Sequence, residues 1–201
     1  TLDDARAVLR ARFGYADFRP GQERAVRAVL EGRDTLVILP TGGGKSLCFQ
    51  VPALLSPGLT VVVSPLISLM KDQVDALTAR GLPAAFVNST LSSAQAAERF
   101  QRAARGELKL LYVAPERFDF GNTAERLCEM GVSLLAIDEA HCISEWGHDF
   151  RPSYLRMRSV RERLGDPTTI ALTATATPDV RKDIEHQLGL EHPERIVTGF
   201  D

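Results

Sequence analysis

Short apolar runs recur along the chain at a spacing that leaves room for one helix between most neighbours. They fall at Thr35–Leu39, Leu59–Val63, Ala84–Val87, Lys109–Val113, Ser133–Ile137, Thr169–Leu172 and Ile196–Thr198. Amphipathic stretches lie between most of them, at Lys45–Leu55, Ile67–Ala79, Ser92–Arg105, Tyr154–Leu164 and Pro178–Leu188. Several of the runs are apolar at nearly every position, which only a sheet covered on both faces can bury. The pattern therefore predicts an α/β fold with a mainly parallel central sheet and crossover helices on both faces. Helix punctuation agrees: Ser92 and the Thr177-Pro178 pair suit helix starts, and Gly81, Gly106 and Gly189 fall where helices should stop.

With 201 residues the chain has enough length for one well-buried core. We expect a single domain. Its formal net charge of −2 argues against a partner held by bulk positive charge, while leaving room for a local basic groove. Cys48, Cys128 and Cys142 lie far apart without metal-ligand or disulfide spacing, so no zinc site is expected and a reducing compartment fits best. No apolar signal core or membrane-length stretch is present, and no membrane partner is expected. The expected location is the cytoplasm. Residues 1–33 precede the first strand as two helical pieces, Leu2–Arg12 and Gly21–Leu30. The joint between them, Phe13–Pro20, holds Phe13, Tyr15 and Phe18, and reads either as a hydrophobic lid on the sheet or as part of a ligand site.

The strongest local signal is Thr35-Leu-Val-Ile-Leu-Pro-Thr41-Gly42-Gly43-Gly44-Lys45-Ser46 followed by a helix. A buried strand feeds a glycine-rich turn whose amides converge on phosphate oxygens, and the helix that follows adds its N-terminal dipole. Lys45 is placed to bridge the terminal phosphates and Ser46 to hold a magnesium ion. The strict phosphate-loop pattern has glycine where this chain has Leu39, the position with the least mechanical consequence. Only four of the basic residues are lysines, and a compact ammonium fits between phosphates where a planar guanidinium does not.

A second buried run, Ser133–Ile137, ends in Asp138-Glu139-Ala140-His141. Ligands of open α/β sheets bind at the carboxyl ends of the strands. Asp138 is placed to hold magnesium and Glu139 to orient and deprotonate an attacking water. The same acids also suit the start of a helix.

Taken together, Thr41–Ser46 and Asp138–His141 resemble a superfamily 2 helicase, and the flanking text resembles the RecQ family. The narrowing segments are Phe18–Gln22, Ser64–Gln73, Val113–Arg117, Cys142–Pro152 and Ala171–Ala176, so the likeness extends over nearly the whole chain. It implies the first RecA-like motor domain, residues 34–201 with the N-terminal helices attached, of a 3′ to 5′ ATP-dependent DNA helicase used in repair and recombination. The cofactors implied are ATP and magnesium. The partners implied are single-stranded and partly duplex DNA. A second RecA-like domain, a zinc-binding region and a winged helix are expected outside this chain, which alone should bind nucleotide weakly and unwind little. A bacterial nucleoid is the favoured setting, with a nucleus the alternative.

The resemblance also assigns roles. Gln22 would bond the adenine edge, Tyr15 would stack on the ring and Arg19 would fix them; an amide offers the donor and acceptor that adenine needs. Thr173 and Thr175, with His141, would couple nucleotide state to the DNA side. Trp146, His148, Phe150 and Arg151 sit in an aromatic loop whose composition suits stacking on unpaired bases, or alternatively covering the end of the sheet. Ser64 and Lys71 bracket a strand end and a helix start, a natural place for a DNA backbone. Competing readings are a double-strand translocase and a binding module with vestigial nucleotide chemistry.

Overall fold

The computed structural model describes residues 1–40 and 44–198. Its centre is a sheet of seven strands: β1 (Thr35–Ile38), β2 (Leu59–Val63), β3 (Ala84–Val87), β4 (Leu110–Val113), β5 (Val132–Ile137), β6 (Thr168–Thr173) and β7 (Glu194–Val197). The order is β3-β4-β2-β5-β6-β1-β7 and every pairing is parallel. Strands β1, β2 and β4 are buried at every position, as their unbroken apolar text requires.

Successive side chains along a strand point to opposite faces, and each face carries its own core. On one face Val37, Val62, Tyr112, Leu134 and Ile170 meet the helices α1 (Leu2–Val8), α2 (Pro20–Leu30), α3 (Leu47–Leu55) and α4 (Ile67–Ala79). On the other, Leu36, Ile38, Val61, Val63, Leu135 and Ile137 meet α5 (Ser93–Ala104), α6 (Thr123–Met130), α7 (Met157–Arg163) and α8 (Pro178–Leu188). Ser92 closes a capping box at the start of α5, and Thr177 accepts from the Val180 amide at the start of α8. Gly81, Gly106 and Gly189 adopt the left-handed backbone just past helix ends.

Three local features differ from the sequence reading. The first helix opens into a single π turn, Leu9–Phe13, before Gly14 stops it, so that Leu9 and Phe13 are both buried while Tyr15 stays on the surface. Strand β7 begins earlier than its apolar text because Glu194 pairs with Thr35 in register and is held by Arg24 and Arg33. Helix α6 was not expected; Glu125, Arg126 and Glu129 leave an eight-residue element with only Thr123, Ala124 and Leu127 buried. The arginine-rich stretch around α7 is consumed by carboxylates: Arg156 pairs with Asp119, Arg158 with Glu162, Arg163 with Glu125, and Arg161 with Asp34 at 2.5 Å. Arg161 also donates to the carbonyls of Leu188 and Gly189, and Asp34 accepts from the Thr169 amide, tying α7, α8 and the starts of β1 and β6 into one joint. Among the described residues no helix is long and apolar enough to cross a membrane.

Candidate functional site

The carboxyl ends of β1, β5 and β6 open into a cleft of about 730 Å³. Lys45 and Ser46 enter it from the turn before α3, Asp138 and Glu139 from the end of β5, and Thr173 and Thr175 from the end of β6. Residues separated by more than a hundred positions in the sequence thus share one wall because β6 lies between β1 and β5. Thr41, Gly42 and Gly43, expected to cradle phosphate, lie outside the described residues. Gly44 is described, with φ of +73°, and any side chain there would strike the amide of Gln22.

Gln22 is brought to the phosphate turn itself. Its Nε2 donates to the Gly44 carbonyl at 3.1 Å, and its Oε1 accepts from the Arg19 amide at 2.9 Å. Tyr15, 52% exposed, lines an adjoining cavity of about 190 Å³ together with Phe13, Gly44, Ser46 and Arg80. Arg19 is exposed at the start of α2 and does not line that cavity.

The acidic corner is held tightly. Asp138 Oδ1 accepts from the Glu139 amide at 2.9 Å, its own amide donates to the Val63 carbonyl, and its carbonyl accepts from the Tyr154 hydroxyl at 2.8 Å. Glu139 adopts a left-handed backbone at φ 52°, a conformation that costs a non-glycine residue on the order of 1 kcal/mol or more and is over-represented at functional sites. Burial, reinforced by the Glu139 carboxylate, pushes the Asp138 carboxyl up to about 6. Two acids side by side, one of them buried, are a donor set that a divalent cation completes; with the Ser46 hydroxyl in the same cleft the residues fit magnesium.

His141 is buried beneath this pair. Thr173 spends its hydroxyl proton on the Thr175 carbonyl at 3.3 Å and so accepts from His141 Nδ1 at 2.6 Å, with Glu139 Oε2 3.6 Å from the same nitrogen. Burial lowers the affinity of this imidazole for a second proton, which keeps it a neutral donor. The three residues expected to couple nucleotide to DNA therefore form one connected chain.

The aromatic loop rises directly from this chain. The His148 ring stacks on His141 with centroids 4.4 Å apart, and Asp149 joins it in the cleft wall. Gly147 lies so close over the His141 carbonyl that a Cβ would sit 2.8 Å from it. Cys142 donates its thiol to Asp149, which also pairs with Arg151 at 3.3 Å. Burial holds the Cys142 thiol up at about 12, and Arg151 already neutralises the carboxylate, so Cys142 and Asp149 form a hydrogen-bonded anchor of the loop beside His141. Trp146 stands out from it at 78% exposure, and Phe150 is half-buried. Lys71 is exposed on α4 and pairs with Asp75 at 2.6 Å.

Two expectations are altered by this geometry. Ser64 is buried, with its hydroxyl accepting from the Leu66 amide, and offers no exposed contact to a DNA backbone. His148 faces the nucleotide cleft and His141 as well as the loop surface. Sequence reasoning missed Gln50, Gln73 and Tyr112, which form a buried hydrogen-bonded chain beside the cleft. Their only signal was a glutamine in the apolar helix α3, a glutamine beside the buried positions of the amphipathic α4, and a tyrosine in the apolar strand β4.

Comparisons with known proteins agree with this geometry. The family model described as DEAD/DEAH box helicase matches residues 19–184. The ATP-dependent DNA helicase RecQ of Bacillus subtilis is 51% identical over 201 residues, covering 99% of this chain and 34% of its own length. The RecQ-like DNA helicase BLM of Xenopus laevis is 42% identical over 201 residues, covering 96% of this chain and 15% of its own. Among solved structures, the Mycobacterium smegmatis helicase Lhr bound to ssDNA and AMP-PNP superposes with a TM-score of 0.72 at 21% identity, over 96% of this chain and 28% of that one, a likeness of fold. The chain spans about a third of the length of the bacterial RecQ helicases it matches. With its phosphate turn, acidic corner and threonine pair assembled at one sheet edge, this chain belongs to the DEAD/DEAH box helicase family.

Proposed function

We propose that this chain is the ATP-binding motor half of a DNA helicase that moves 3′ to 5′ along single-stranded DNA, and that a second RecA-like domain of the same polypeptide closes over the cleft. The observation that carries the reading is the convergence of Lys45, Ser46, Asp138, Glu139 and Thr173 on one cleft, with an aromatic loop stacked on its coupling histidine.

Lys45 sits where its ammonium meets the terminal phosphates of ATP, and the turn before α3 presents backbone amides to the same oxygens. Ser46 and Asp138 would hold magnesium, which when bound neutralises charge on the phosphates. Glu139 holds a water and takes its proton as the terminal phosphate leaves; its left-handed backbone and the hydrogen bond from its amide to Asp138 fix the main chain from which its carboxylate projects. His141 and Thr173 register any shift of Glu139, and through the His148 stack that shift reaches Trp146 and Phe150. Trp146 presents an open face to unpaired bases. Tyr15 and Gln22 receive adenine at the far end, where closure over nucleotide exchanges the Gln22 bond to Gly44 for one to the base.

The test is strand displacement with ATP turnover in the full-length protein. Unwinding of a duplex with a 3′ single-stranded tail, lost in Lys45→Ala, is expected. ATP turnover stimulated by blunt duplex without displacement would make the protein a double-strand translocase, and absence of ATP binding would make it a binding module.

A further inference from the structure

Behind the wall that separates the cleft from the smaller cavity runs a chain of three polar side chains in an otherwise apolar core. Gln50 on α3 donates from Nε2 to the Tyr112 hydroxyl at 3.0 Å, and that hydroxyl donates to Gln73 Oε1 on α4 at 2.8 Å. Gln50 lies one turn beyond Ser46, its amide bonded to the Ser46 carbonyl. Tyr112 is buried in the middle of β4 and its ring meets Phe49 edge-on. Burial pushes its phenol well above the ordinary value, so the hydroxyl remains a donor at any working pH.

This chain fixes which way Gln73 points. A hydroxyl has one proton, and Tyr112 gives it to the Gln73 carbonyl, so the carbonyl is turned into the core and the NH2 group is turned away from it. Gln73 is half-buried at a particular place. Among the described residues, only Gly44, Ser46 and Gln73 line both the phosphate cleft and the cavity holding Tyr15, and Gln73 alone comes from outside the phosphate turn. A nucleotide is a base, a sugar and phosphates in that order. With phosphates at Lys45 and adenine at Tyr15, the group that crosses from one chamber to the other is the sugar.

We propose that Gln73 is a ribose-reading residue, donating from its side-chain NH2 to a 2′ or 3′ hydroxyl oxygen of bound ATP, and that Tyr112, backed by Gln50, is the positioning residue that aims it. This rests on the ATP-binding reading above. A phenylalanine at position 112 would fill the core equally well, and the buried polar chain carries a desolvation cost that packing does not require. Orientation of Gln73 is what that cost provides.

The experiment is calorimetric binding of ATP and of 2′,3′-dideoxy-ATP to the full chain and to Gln73→Leu and Tyr112→Phe. Wild type is expected to favour ATP about five-fold, the weight of one neutral hydrogen bond. Gln73→Leu should bind both nucleotides equally, at the level wild type shows for the dideoxy compound, and Tyr112→Phe should narrow the ratio, with the thermal midpoint of each variant as its folding control. A wild-type ratio near one, or a ratio retained in Gln73→Leu, overturns the inference. A ratio retained in Tyr112→Phe, even with both affinities lowered together, removes Tyr112 as the positioning residue. Wild type that binds neither nucleotide overturns the ATP-binding reading along with this one.

Discussion

Residues 138–141 and residues 144–151 are neighbours in the chain and opposites in physical character. In the first segment the side chains of Asp138 and His141 are enclosed, at 6% and 5% exposure, and each meets a hydrogen-bond partner. In the second, Trp146 is 78% exposed, on a loop anchored at its base by the His148 stack, by the Cys142–Asp149 bond and by Arg151. The contrast separates two tasks. In the function proposed above, hydrolysis needs atoms held in place, and capture of a single strand needs aromatic faces left open to water until DNA arrives. The molecule puts both within one loop's length and joins them through two stacked imidazoles.

The largest expected effect breaks the open half alone. If the loop stacks on unpaired bases as proposed, replacing Trp146 and Phe150 with Ala removes two platforms, each worth about 1–3 kcal/mol per base, so single-strand affinity should fall by about ten-fold or more and the ratio of DNA-stimulated to unstimulated turnover should drop toward one. Thermal unfolding of Trp146→Ala should stay within about 0.5 kcal/mol of wild type, because an exposed side chain contributes little to the fold. A loss of several kcal/mol would return the tryptophan to the core and dissolve the contrast.

The next effect sharpens the fixed half. Asp138 has its carboxyl raised from 3.8 to about 6 by burial beside Glu139, so the folded state holds the proton more tightly than the unfolded chain does. Stability from this group therefore declines as pH rises from 3.8 through 6 and stays low above it. Asp138→Asn removes the charge and should stabilise the nucleotide-free protein at pH 7 by roughly 1–3 kcal/mol while abolishing turnover. Denaturant titrations of wild type and Asp138→Asn at pH 4 and pH 7 test both the gain and its sign; a variant no more stable than wild type at pH 7 would mean that the corner carries no stored charge.

These two halves were unequally legible in the sequence. The acidic corner could be read because it is a buried strand ending in two carboxylates at the ligand-binding edge, and the parallel sheet covered on both faces follows from the nearly unbroken apolar text of β1, β2 and β4. What the one-dimensional pattern could not carry was which side chain faces which neighbour. His148 read as a loop residue for DNA and packs on His141; Ser64 read as a backbone contact and is buried under its own turn. Helix α6 was hidden by its charges, and Gln73 looked like one more polar residue on a solvated helix until β4 placed Tyr112 against it.

The smallest expected effect lies at the rim. Lys71 is exposed and paired with Asp75 on its own helix, so Lys71→Ala should leave the thermal midpoint essentially unchanged. If it meets one phosphate of a bound strand, DNA affinity should fall for all sequences alike and the slope of log affinity against log salt should lessen by about one. An unchanged slope would remove Lys71 from the DNA path.

The proposed chemistry of the acidic corner depends most directly on Glu139. Glu139→Gln keeps the shape of the strained turn and removes the base, so in the full-length protein ATP affinity should remain near wild type while single-turnover hydrolysis slows by about 10²-fold or more. Hydrolysis at the wild-type rate with nucleotide bound would show that the acidic corner does not perform the chemistry.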